Sequence, residues 1–144
     1  MEALVHALKL EDKVFFLGHL SQDEALPYKR NAFMNVVSLE QGDDYVSMTI
    51  PTKLLSSLED GRPILASIGK GGADMLLKAQ GSFLIEPNKE SVLDALKKAQ
   101  TLDETALFEM GERNRRYYQE NLSFKKLMDN IESNLIREAN PAKK

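Results

Sequence analysis

Gly61-Arg62-Pro63-Ile64-Leu65-Ala66, followed by Ser67-Ile68-Gly69-Lys70-Gly71-Gly72, decides the fold class of this 144-residue chain. Gly61 is placed to end a helix in a left-handed turn, because a residue without Cβ takes that conformation freely. Arg62-Pro63 then feeds a short apolar run, Ile64 to Ala66. A short run of this kind between turn residues reads as a strand buried on both faces, as in a parallel sheet covered by helices. Ser67 to Gly72 is expected to form a flexible turn, with a short helix after it around Ala73 to Lys78.

Working outward, the same pattern repeats. Upstream, Pro51 suits the first turn of a helix, where its missing N–H has no partner to lose. The polar stretch from Leu39 to Thr49 separates that helix from a strand at Phe33 to Ser38. Ser21 with Glu24 three residues later is a capping-box signature, which starts a helix running to about Arg30. Val14-Phe15-Phe16-Leu17, ending at Gly18, reads as another strand buried on both faces, preceded by a helix from Met1 to Leu10. Downstream, Ser82 to Ile85 is the last strand, and Glu90 to Ala99 and Asp103 to Gln119 are helices. Ser123 caps a final helix whose Phe124, Leu127, Met128, Ile131 and Leu135 keep helical spacing. Strands alternating with helices predict an α/β domain over residues 1–139, with 140–144 a frayed tail.

Composition narrows the function classes. A net charge of −3 gives no general attraction to nucleic acid, so no nucleic-acid partner is expected. Cysteine is absent and the two histidines, His6 and His19, are far apart, which argues against disulfides and a bound metal. No apolar run approaches the roughly 20 residues needed to span a bilayer, and Met1 to Lys9 is not a signal peptide. The expectation is a cytoplasmic protein, peripheral at most to the inner face of the membrane, with no cofactor.

The order of motifs from Val14 to Phe124 resembles the C-terminal, donor-binding domain of retaining group-1 glycosyltransferases of GT-B type. Val14-Phe15-Phe16-Leu17-Gly18 is similar to that family's strand ending in glycine. Asn31-Ala32-Phe33-Met34-Asn35-Val36-Val37-Ser38 is similar to its next strand, and Gly61-Arg62-Pro63-Ile64-Leu65-Ala66 to its G-[KR]-P segment. Gly71-Gly72 and Ser123-Phe124 fall at comparable places, and Pro51-Thr52-Lys53-Leu54 resembles the P-S-K-L sequence of a subgroup that builds bacterial surface polysaccharides. The resemblance implies a Rossmann-like parallel sheet with flanking and C-terminal helices, and a UDP- or GDP-sugar as partner.

The resemblance also assigns a site, though no catalytic residue. Lys53, one turn into the helix that Pro51 opens, is placed to meet the donor diphosphate together with Thr52, because helix N–H groups and an ammonium act on the same charge. Ser56 stands where the family has a ribose-binding glutamate, and Met48 where it has a second glutamate. A hydroxyl cannot supply the charge-assisted bond of a carboxylate. Glu40 and Gly42, just beyond a strand's carboxyl end, would lie near the donor sugar, and Gly18 and His19 near the nucleobase. Arg113, Arg115, Arg116, Tyr117 and Tyr118 read as a solvated helix face with the tyrosines against the core.

A complete domain of the family opens with a strand, a helix and a second strand that have no counterpart here. The expectation is therefore a domain lacking its first strands and partnered by an N-terminal acceptor domain outside this sequence. It is expected to be inactive in sugar transfer on its own and to form homo-oligomers through exposed strand edges. The alternatives are a non-catalytic Rossmann-like interaction module and part of a GT-B-fold sugar-nucleotide epimerase.

Overall fold

A computed structural model describes residues 1–39 and 49–139. Helices α1 (Glu2–Ala7) and α2 (Gln22–Asn31) lead into strand β1 (Asn35–Ser38). Then come α3 (Thr52–Asp60), β2 (Ile64–Ser67), α4 (Lys70–Ala79) and β3 (Ser82–Leu84). Helices α5 (Lys89–Gln100), α6 (Glu104–Asn121) and α7 (Phe124–Ala139) complete the order. The three strands form one parallel sheet in the order β1-β2-β3, with Asn35 opposite Ile64 and Ile64 opposite Ser82. The architecture is the α/β, Rossmann-like arrangement expected from the alternation of apolar runs and helices.

Local chemistry explains most boundaries. Ser21 Oγ accepts from the Glu24 amide while Glu24 Oε2 accepts from the Ser21 amide at 2.8 Å, so the capping box forms in full. The carboxylate's bonds to Ser21 hold Glu24 below the ordinary carboxyl range. Gly61 ends α3 at φ 70°, the left-handed conformation its position required. Asp103 caps α6 by accepting from the Ala106 amide at 2.7 Å, and Ser123 Oγ accepts from Lys126 in the first turn of α7.

The core is built on one side of β1 and β2. Leu54 and Leu58 of α3 and Leu76 of α4 pack with Val37, Ile64 and Ala66, and Tyr117 and Tyr118 of α6 lie against this cluster as expected. All four β2 residues are buried, which is why its sequence carries no alternation. Helix α6 comes close to the turn after α3: a Cβ on Gly111 would collide with the Gly61 carbonyl oxygen. Asn114, fully buried, donates from Nδ2 to Arg62 O at 2.9 Å and Gly81 O at 2.8 Å, joining α6 to the residues that lead into β2 and β3. Arg113 donates to Gln80 O at 2.8 Å and Arg115 to Asp60 O at 2.9 Å, so these two arginines brace helix ends as well as facing water.

Two expectations need correction. Val14 to Leu17 is not a strand: it has no ladder partner among the described residues, and Val14, Phe15, Phe16 and Leu17 are 38%, 72%, 47% and 50% exposed. A run of this kind becomes a buried strand only when neighbours pair with it, and the described sheet ends at β1, whose Val36 is 69% exposed. Second, Lys70-Gly71-Gly72 is the first turn of α4 and not a flexible turn. Gly72 serves close packing there, since a Cβ would stand 2.6 Å from Ile68 Cδ1 and 3.2 Å from Leu54 Cδ2.

Candidate functional site

In a parallel sheet the helix that follows each strand starts near the strand's carboxyl end, where open α/β sheets bind ligands. Both crossover helices here begin at that end. Gly69 caps α4 directly after β2, and Pro51 precedes the first turn of α3. Near their starts the two helices meet where a Cβ on Gly72 of α4 would stand 3.2 Å from Leu54 Cδ2 of α3. Neither N-cap provides a side-chain hydrogen bond, so among the described residues the first N–H groups of both helices have no side-chain acceptor. Each start carries the positive end of a helix dipole.

Thr52 and Lys53 stand on the first turn of α3, both exposed. Among the described residues neither side chain has a hydrogen bond or ion pair, so the Lys53 ammonium is uncommitted. Lys70, on the first turn of α4, is paired with Asp74 at 3.0 Å. Of the two lysines at these helix starts, Lys53 is the one able to meet an anion without first breaking an ion pair.

Ser56 lies one turn further along α3, part-buried and already engaged. Its hydroxyl donates to Lys53 O at 3.1 Å and accepts from Lys29 Nζ at 3.4 Å. One lone pair stays available. Lys29, from α2, is itself 2.6 Å from Asp60 Oδ2, and that carboxylate is only 3% exposed. The ammonium approaches Oδ2 outside hydrogen-bond geometry, so the contact is an ion pair by distance. This Lys29-Asp60-Ser56 group was not legible in the sequence, because Lys29 and Asp60 are 31 positions apart and neither belongs to a motif. Ser67 was missed too. It ends β2 with a buried hydroxyl that has no partner among the described residues.

The structure brings Thr52, Lys53 and Ser56 together on one helix. Gly18 and His19 follow the unpaired Val14–Leu17 segment and are exposed, and no hydrogen bond or ion pair joins them to α3 among the described residues. Gly18 adopts φ 69°, which favours glycine at the turn after Leu17. Glu40, Gly42 and Met48 lie outside the described residues. Among the described residues no cluster of three metal-ligating side chains occurs, and no helix is long and apolar enough to cross a membrane.

The chain is an α/β domain of glycosyltransferase-like fold. Among solved structures, the chain matches the sucrose-phosphate synthase from Thermosynechococcus elongatus with a TM-score of 0.74 at 19% identity. The match covers 98% of this chain and 34% of that one. No protein-family model matches the sequence, and no curated protein does.

Proposed function

We propose that this chain is the donor-binding part of a glycosyltransferase and that it holds the diphosphate of a UDP- or GDP-sugar at the paired starts of α3 and α4. The observation that carries the reading is the uncommitted Lys53 ammonium on a helix start whose neighbour is a second helix start, at the carboxyl end of the sheet. Two helix starts and one free lysine at the same end of the sheet suit a diphosphate better than a single charge. The glycosyltransferase-like fold supports the choice of ligand.

The rest of the site follows from its neighbours. Ser56 replaces a carboxylate and has one lone pair left, so it accepts a single ribose hydroxyl and holds it more weakly than a charged acceptor would. Gly18 and His19 would receive the base, and Glu40 and Gly42 the sugar. The chain corresponds to 34% of the length of its structural neighbour, and we assign the acceptor contacts to a companion domain. Transfer relies on orienting the donor toward an acceptor hydroxyl, so this chain by itself binds donor without turning it over. The resemblance of Pro51-Thr52-Lys53-Leu54 points to assembly of a bacterial surface polysaccharide.

Thermal melting with UDP, GDP and their sugars tests the reading. A midpoint that rises with ligand concentration is expected, since a ligand that binds only the folded state stabilises it by mass action. A midpoint unmoved by any of them at millimolar concentration contradicts donor binding and leaves the non-catalytic interaction module.

A further inference from the structure

The opposite end of the sheet carries a cavity, which the donor reading does not use. It measures about 570 Å³ and lies between the end of α2 and the start of α6, at the amino ends of β1 and β2. Its volume falls within the several-hundred Å³ of small-molecule sites. Phe33 and Phe108 line it and are 54% and 58% exposed. Two large rings left in water at one cavity form a stacking surface for an apolar or planar body.

Two opposite charges line the same cavity, Arg62 and Glu104. Arg62 uses Nε to hold the Arg30 carbonyl, which fixes the guanidinium in place and leaves its Nη groups without a partner among the described residues. Glu104, on the first turn of α6, has no ion pair among the described residues either. Among the described residues no ion pair joins the two charges. A cation and an anion held apart beside two aromatic rings match a small zwitterion with an apolar side chain. The guanidinium suits its carboxylate and Glu104 its ammonium.

We propose that this cavity is a second binding site and that it takes a free α-amino acid with an aromatic side chain. The carboxylate sits on Arg62, the ammonium on Glu104 and the ring against Phe33 and Phe108. A plain anion is disfavoured because Glu104 repels it, and a plain amine because Arg62 does.

Calorimetric titration of the intact chain with L-phenylalanine tests this, with 3-phenylpropionate and 2-phenylethylamine as the analogues lacking one charge each. Saturable binding of L-phenylalanine is expected, with each analogue weaker by about tenfold to a hundredfold, the effect of one hydrogen bond to a charged group. Glu104→Gln should weaken L-phenylalanine by a similar factor and leave 3-phenylpropionate no weaker. Phe108→Ala should weaken all three ligands. The analogue comparison needs no variant, so a folding defect cannot obscure it. L-phenylalanine failing to saturate, or binding no better than the two analogues, would overturn the proposal. A Glu104→Gln protein binding L-phenylalanine as wild type does would overturn it as well. None of these outcomes depends on whether UDP or GDP binds at the other end of the sheet.

Discussion

Replacing Asn114 by alanine should destabilise the domain by about 2–4 kcal/mol. The side chain is fully buried, so water does not take its place freely. Its Nδ2 donates to two carbonyls, at 2.9 Å to Arg62 O and 2.8 Å to Gly81 O. These two do not respond alike. Gly81 O keeps a long bond from the Ile64 amide at 3.4 Å, so its loss is near the net value of a hydrogen bond, about 1 kcal/mol. Arg62 O, part-buried, has no other partner among the described residues and takes the larger cost of an unsatisfied group, about 1–3 kcal/mol. The long contact from Ser82 Oγ at 3.4 Å adds little. Asn114→Asp should be worse than alanine, because it turns a carboxylate oxygen toward two carbonyl oxygens inside the protein. Equilibrium unfolding in urea, with the midpoint read at constant slope, measures both. An alanine variant within about 1 kcal/mol of wild type, or an aspartate variant no worse than alanine, would refute the role given to this side chain.

Gly111→Ala should cost about 1–3 kcal/mol or more, since the added methyl meets the backbone of Gly61, which yields less readily than a side chain; urea unfolding measures it. Tyr118 is held above its ordinary pKa of 10.0, first by burial and then by the charge and hydrogen bond of Glu59. A raised folded value means its contribution to stability is present below pH 10 and is lost as pH rises through the folded value. Tyr118→Phe should therefore flatten the alkaline fall in stability, and Glu59→Gln should lower the tyrosine's ionisation pH only part way, as followed by ultraviolet absorbance. The open edge of β1 and the exposed apolar Val14–Leu17 segment should drive self-association, seen as a mass that rises with concentration in sedimentation. A monomer at every concentration would count against that pairing.

Local signals were legible wherever the cause was local. The capping box at Ser21, the left-handed Gly61 and the cap at Ser123 act within a few residues, and the sequence shows all the partners. The buried strand β2 was legible because both faces are covered, so every position is apolar or small. Val14 to Leu17 has the same composition but no described neighbour to pair with, and pairing is a property of the sheet rather than of the segment. The start of α4 was hidden by Gly71 and Gly72, whose low helix propensity suggests a turn, while tight packing of Gly72 on Ile68 and Leu54 outweighs it. The place of Lys53 on the first turn of α3 was legible from Pro51 and the helix start. The Lys29 ammonium beside Asp60 and Ser56 was not, because it arrives from a helix distant in sequence.

The central claim is tested most directly at Lys53, by calorimetric titration of wild type and Lys53→Ala with UDP or GDP and with the matching nucleoside. Lys53 is exposed and has no partner among the described residues, so its loss should leave the fold intact. The substitution should weaken diphosphate binding by about 1.5–3 kcal/mol, the range for a hydrogen bond to a charged group, and leave nucleoside binding nearly unchanged. Equal affinity of the two proteins for the diphosphate would contradict it and return Lys53 to the role of a solvated surface residue.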